Sequence, residues 1–241
     1  FVLENTPKPK CYELNVKMEE LCSEIKYQKL NLDKSALGFQ IKFEPYIKYN
    51  FFKSKTGRAV TQGGFPILNL DKKFRSVLKP VNNYFVELDY NAAEARVFLA
   101  LMGGEQVKED VHKWHQENFF PGKTRDEAKK EFFAWLYNNN AQNPALESFY
   151  NKEAVLLKCW QNGKFINHPY NVELECEEYY ALNYIMQNVM SCLFCDRAHA
   201  VYSFLKDKKS FLSFLLHDSI VIDLAEEDRP IVSEIISLFS N

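Results

Sequence analysis

The stretch Tyr84-Phe85-Val86-Glu87-Leu88-Asp89-Tyr90-Asn91-Ala92-Ala93-Glu94-Ala95-Arg96 decides the reading of this chain. Its first residues form an apolar, β-rich run that ends on a carboxylate at Asp89. Asn91 then offers N-cap chemistry for a helix running through Ala92, Glu94 and Arg96 to Met102, closed by Gly103 and Gly104. The unit is strand, aspartate, helix. Far along the chain, Phe211–Leu216 and Ile220–Leu224 are two more β-rich runs joined only by His217, Asp218 and Ser219, which reads as a hairpin with a carboxylate at its tip. Two aspartates at strand ends, from distant parts of a chain, suit hard divalent cations, because Mg²⁺ takes a few carboxylate oxygens plus substrate phosphates. Strand-end aspartates also serve phosphatases, nucleases and nucleotide-binding sheets, and many only cap loops, so the pair alone does not choose among these.

With 241 residues, 46% of them hydrophobic and 15% aromatic, the chain can bury a full core as one large domain or two small lobes. A net charge of -2 and a pI near 6.3 argue against nucleic-acid binding through charge over the whole surface, so any such footprint is local. Between Lys42 and Pro80, nine cations (Lys42, Lys48, Lys53, Lys55, Arg58, Lys72, Lys73, Arg75, Lys79) stand against Glu44 and Asp71. With Tyr46, Tyr49, Phe51 and Phe52 interleaved, this stripe is either a solvated face or a nucleic-acid contact. The six cysteines are scattered, as expected of reduced thiols in a cytoplasmic protein. Cys192, Cys195 and His199 fall near one helix face without a fourth ligand nearby, so they read as packing residues rather than a zinc site. No apolar run approaches the roughly 20 residues of a membrane span. The start at Phe1, without an initiator Met, reads as a fragment or processed form.

Further helices are expected over residues 12 to 31, 144 to 160 and 177 to 206, and another from the capping box Thr124/Glu127 to Tyr137. Arg125, Lys129, Phe133 and Tyr137 are each four residues apart and share a slowly winding face. Two cations, an aromatic ring and a phenol in that order could meet phosphates and then a base. The plainer alternative is an amphipathic helix with Phe133 in the core and its cations in water.

Taken together and in order, these segments resemble the bacterial DNA polymerase I family, the family A polymerases, of phage type. Asp89 followed by Glu94 and Arg96 is similar to that family's first palm motif, and Asp110-Val111-His112 to its short Asp-Ile-His element before the fingers. Arg125, Lys129, Phe133 and Tyr137 match the nucleotide-binding finger helix, and Leu216-His217-Asp218 the second palm motif. Thr56-Gly57-Arg58 resembles the Thr-Gly-Arg element at the primer end, and Asn183 and Gln187 the Asn and Gln beside the primer-template minor groove. The resemblance runs from about Lys55 to Asp228.

It implies an α+β fold, a right-hand polymerase palm of antiparallel sheet and helices with a reduced helical fingers subdomain. The implied division is 1–54 as an N-terminal segment (thumb remnant or linker), 55–105 as the first palm part, 106–180 as fingers and 181–241 as the second palm part. Asp89 and Asp218 are implied to hold two Mg²⁺ ions, with Mn²⁺ able to substitute. Arg125, Lys129 and His112 are implied to hold triphosphate oxygens, Phe133 to pack on the incoming nucleotide and Tyr137 to sit near the templating position. Glu94 is implied to crowd a ribose 2′-hydroxyl, and Arg58, Arg96, Asn183, Gln187 and His217 to contact DNA. The implied partners are primer-template DNA and deoxynucleoside triphosphates, with upstream exonuclease or other replication domains in a longer parent protein, in a bacterial or infected-cell cytoplasm and not at a membrane.

The sequence departs from the family's pattern at several points, among them the family's usual final palm strand, which is not found after the hairpin. Ser219 stands where a glutamate is usual, Tyr179 where many members have an arginine and Ala92 where many have a glutamine, and the segment before Thr56 is too short for the usual thumb. Ser219→Glu is on this reading expected to be tolerated. The rival readings are a non-catalytic primer-template binding module, an RNA polymerase, which Glu94 and Phe133 oppose, and a metal-dependent nuclease, which leaves the finger helix unexplained.

Overall fold

The computed structural model describes residues 8, 11–33, 35, 44–138, 140–167 and 170–240, so Lys42 of the basic stripe lies outside the described residues. In chain order the elements begin α1 (Tyr12–Tyr27), β1 (Asn31–Leu32), β2 (Ile47–Asn50), β3 (Val60–Gly64), β4 (Leu78–Lys79) and β5 (Tyr84–Asp89). Helices α2 (Ala93–Met102), α3 (Val111–Phe119), α4 (Arg125–Tyr137), α5 (Pro144–Phe149) and α6 (Lys152–Cys159) follow. Strands β6 (Trp160–Gln161), β7 (Lys164–Asn167) and β8 (Val172–Glu175) lead to the long helix α7 (Glu178–Leu205), the hairpin β9 (Phe211–Leu216) and β10 (Ser219–Leu224), and α8 (Val232–Ser240). The fold is α+β, and the chain divides into two compact units, residues 1–90 with 191–241, and residues 91–190. Among the described residues no helix is long and apolar enough to cross a membrane.

The first unit is organised by the antiparallel sheet β5-β10-β9. Every residue of β10 is buried, which is why Ile220, Val221 and Ile222 can be apolar on both faces. Helix α1 buries Leu14, Met18, Leu21 and Ile25, a three- and four-residue spacing that makes one apolar stripe. That stripe packs on β2. Tyr49 of β2 then ties the layer to the sheet, because its hydroxyl donates to the Leu215 carbonyl (2.6 Å) and accepts from the Leu215 amide (2.9 Å). At the far end of β10 the buried Asp223 accepts from the amides of Val81 (2.6 Å) and Asn82 (2.8 Å), fixing the entry to β5. Tyr90, directly after β5, stacks on Phe239 of α8 at 4.4 Å and donates to its carbonyl at 2.7 Å.

The second unit is a helical body with an aromatic core. Phe98 stacks on Tyr150 (5.2 Å, 5°), and His115 stacks on Phe132 (4.3 Å). The His115 Nε2 and the Tyr150 hydroxyl share a 2.6 Å hydrogen bond inside this cluster. Helix α2 closes on Gly103 in the left-handed region, with the Gly104 amide bonded to the Leu99 carbonyl at 2.9 Å. Helix α4 opens on the Thr124/Glu127 capping box, as its sequence requires.

Several local expectations need correction. The first helix stops at Tyr27, not 31. The stretch 144 to 160 holds two helices rather than one, since Asn143 and Asn151 each cap a new start by accepting from Leu146 N and Ala154 N. It is followed by the meander β6-β7-β8, turned at Asn162 (φ 53) and Gly163 (φ 77). Asn91 does not cap α2. Ala92 does so in the left-handed region without a side-chain bond, and the Asn91 amide turns to Asp110 instead. The loop between β9 and β10 is only His217 and Asp218, because Ser219 already pairs with Leu216.

His115 is fully buried, and burial pushes its pKa down to about 3, so it folds as a neutral ring. The unfolded chain takes up a proton near pH 6.5 while the folded chain does not until far lower, so this stability is complete above 6.5 and is lost as pH falls toward 3. Urea unfolding of wild type and His115→Gln at pH 7.5 and 5.0 checks this. The wild-type advantage is expected to shrink by about 2 kcal/mol at the lower pH. An advantage that does not change with pH refutes the neutral, buried His115.

Candidate active site

In the first unit, Asp89 at the end of β5 lies directly opposite Ser219 at the start of β10. Asp218, one residue earlier at the hairpin tip, is therefore brought to the same end of the neighbouring strand, with Cα partners across such a pair about 4.5–5.5 Å apart. His217 takes φ 52, a left-handed conformation that costs a non-glycine residue about 1–2 kcal/mol. Ala92, three residues after Asp89, also takes φ 52.

Side chains alternate along a strand and match across it, so Glu87, Asp89 and Ser219 share one face of the sheet. The Ser219 hydroxyl donates to Glu87 Oε1 at 2.9 Å and is 3.2 Å from the Leu216 carbonyl. Glu87 was not singled out from the sequence, although its spacing of two from Asp89 already put both carboxylates on one face. Among the described residues no three His, Cys, Asp or Glu side chains gather closely enough to hold a metal, so any ion here would rest on the two aspartates and on groups from outside the chain. Two carboxylates are what Mg²⁺ uses when substrate phosphates and water complete its shell, and on that chemistry the residues fit the ion. His217 and Arg58 are exposed in this same unit, Arg58 in the loop before β3.

The second unit holds the four residues spaced along α4. Arg125 and Lys129 are exposed on α4, while Phe133 and Tyr137, half-buried, stack at 6.0 Å with planes 9° apart. His112 meets Phe133 edge-on at 5.6 Å. It is 2% exposed, and among the described residues its Nδ1 has no hydrogen-bond partner. Burial, and then the charges of Lys129 and Arg125, lower its pKa to about 4, so at neutral pH it is a neutral donor rather than a third cation. Asp110 receives Arg125 through Nε (3.1 Å) and Nη2 (2.7 Å). Arg125 is also the main reason its carboxyl is held below the usual carboxylate range.

Arg96, expected at DNA, points its guanidinium at the carbonyls of Asn91 (2.9 Å), Val107 (2.7 Å) and Glu109 (3.2 Å). Its first task is to brace the loop that leads to Asp110. Glu94 lies half-buried in the first turn of α2. Asn183 and Gln187, one turn apart on α7, bond to each other through their amides. Cys192 and Cys195 are buried in α7, and His199 turns to Glu20 at 2.7 Å.

Ser219 is 3% exposed and its hydroxyl is tied to the exposed Glu87, so a glutamate there would place a second carboxylate against Glu87 with its stem in a buried position. Ser219→Glu is now expected to cost about 2–3 kcal/mol in urea unfolding, against the tolerance expected from sequence. The exchange Glu87→Ser with Ser219→Glu restores most of that loss by returning one hydroxyl and one carboxylate to the pair. A single variant within about 0.5 kcal/mol of wild type shows that the tie carries no weight.

No family model matches the chain, and no curated protein matches it in sequence. Among solved structures the chain is similar to the POL domain of Pol1 from M. smegmatis, described in complex with DNA primer-template and dNTP. The TM-score is 0.62 at 13% sequence identity, over 82% of this chain and 45% of that one. The chain thus spans less than half the length of that structure, and what the two share is the α+β fold of a bacterial DNA polymerase I polymerase domain.

Proposed function

We propose that this chain is the palm-and-fingers core of a template-directed DNA polymerase of family A, phage type, which adds deoxynucleotides to a primer 3′ end and releases pyrophosphate. The observation that carries this reading is the pairing of Ser219 with Asp89, which sets Asp89 and Asp218 at one end of adjacent strands within a polymerase-like fold. Residues 55–105 and 181–241 are assigned to the palm, 106–180 to the fingers, and 1–54 to a thumb remnant or linker. Primer-template DNA and deoxynucleoside triphosphates are the partners, in a cytoplasm, with further replication domains in a longer parent protein.

Asp89 and Asp218 would hold two Mg²⁺ or Mn²⁺ ions. Bound there, the ions supply a more acidic attacking hydroxyl and neutralise charge on the departing pyrophosphate. Arg125 and Lys129 balance the charge of the triphosphate, and neutral His112 gives it one hydrogen bond. Phe133 packs on the nucleotide, Tyr137 borders the templating base, and Glu94 fills the space of a 2′-hydroxyl. Arg58, Asn183, Gln187 and His217 lie along the newly formed pair. Positioning and charge neutralisation account for most of the acceleration in phosphoryl transfer, so weak individual contacts suffice if their geometry is fixed.

Primer extension with Mg²⁺, run beside circular dichroism, tests this. Asp89→Asn and Asp218→Asn are each expected to abolish nucleotide addition with the fold retained, because each removes a metal-binding charge. Activity within about tenfold of wild type in either variant, a loss of only about 1.4 kcal/mol, rejects the two-aspartate assignment. DNA binding by a wild-type chain that never extends a primer makes the chain a primer-template binding module instead.

A further inference from the structure

We infer that Asp110 is a positioning residue that sets the Arg125 guanidinium in place before the triphosphate arrives, a role that rests on the nucleotide site proposed above. The Asp110 carboxylate accepts four hydrogen bonds. Its Oδ1 takes the Lys113 amide (2.8 Å) and Arg125 Nε (3.1 Å), and its Oδ2 takes Arg125 Nη2 (2.7 Å) and Asn91 Nδ2 (3.0 Å). Those bonds fill both oxygens, so the carboxylate is held at once from the approach to α2, the first turn of α3 and the start of α4.

Arg125 is thereby gripped by one edge of its guanidinium. Among the described residues the opposite nitrogen, Nη1, meets the carboxylate of the adjacent Asp126 at 3.4 Å, and the side chain is 43% exposed. The plane is fixed while its outer N–H groups face solvent, and a phosphate takes such groups in parallel pairs. A fork already immobilised loses less rotamer freedom when it binds. Lys129, one turn further along α4, and His112, two residues after Asp110, stand beside it. The opposite role, a placeholder that phosphate must expel, is disfavoured because Asp110 also caps α3 and cannot leave without uncapping that helix.

Asp110→Asn separates the two jobs. Asparagine caps a helix as well as aspartate does, but its amide group would face Arg125 Nη2 and Asn91 Nδ2. Calorimetric titration of the full chain with dATP, dAMP and inorganic tripolyphosphate in Mg²⁺ reads the result, alongside primer extension. Affinity for dATP and tripolyphosphate is expected to fall about three- to tenfold, the worth of one side chain immobilised in advance, with dAMP unchanged. KM for dATP rises correspondingly, while kcat stays near wild type. Arg125→Ala and the double variant Asp110→Asn/Arg125→Ala should behave alike, since Asp110 acts only through Arg125. Asn91→Ala, which removes one anchor and leaves the cap intact, should show the same pattern more weakly, and decides the matter if Asp110→Asn does not fold. Unchanged or tighter binding of dATP by Asp110→Asn, or additive losses in the double variant, overturns the inference while leaving the polymerase reading standing. A wild-type chain that binds neither dATP nor tripolyphosphate defeats both.

Discussion

A slip of one residue between β5 and β10 would turn Asp89 to the other face of the sheet and separate it from Asp218, because side chains alternate along a strand. The placing of Asp89 and Asp218 at one end of adjacent strands depends on that register, and the structure fixes it at several points. Asp223 grips the two amides that lead into β5, while the Ser219 hydroxyl joins β10 to Glu87 of β5 at the opposite end. Between them β10 is apolar and buried throughout, so a slip would expose residues that water does not accommodate. Tyr49 adds a clamp from outside the sheet, holding both backbone groups of Leu215 one residue before the hairpin's last pair.

The second unit solves a different problem, that of keeping cations available at the surface of an apolar body. Its interior is aromatic, and the two histidines it encloses, His112 and His115, are kept neutral by burial. The charges are placed on the exposed side of α4, where Arg125 and Lys129 remain solvated. Asp110 holds one of them by a two-point contact whose free energy as an exposed pair is small. Its value is geometric, since it relates α3, α4 and the loop braced by Arg96 to one another.

Much of this was legible in the sequence wherever a signal is local. The Thr124/Glu127 box started α4, Gly103 ended α2, and the β-rich runs around His217 and Asp218 gave the hairpin, because caps and turns depend on residues three or four apart. Other local signals were present but passed over. Asn162-Gly163 is a strong hairpin turn, and Asn143-Pro144 and Asn151 open new helices within a stretch read as one. Asn91 shows the limit of such reading. A good capping residue in isolation, it gives its amide to Asp110 nineteen positions away, and Ala92 is left to cap α2 in a strained conformation.

By itself, then, the sequence determined which residues carry charge and which segments form strands and helices, including the two aspartates at strand ends and the four-residue spacing on α4. Only the tertiary structure decided which of these groups face one another. It buried Ser219 against Glu87, neutralised His112, turned Arg96 inward and gave Arg125 its partner. The physical reason is range. Propensity and capping act within a turn, whereas desolvation and hydrogen-bond pairing depend on what the folded chain brings alongside, and no spacing in the sequence encodes that contact.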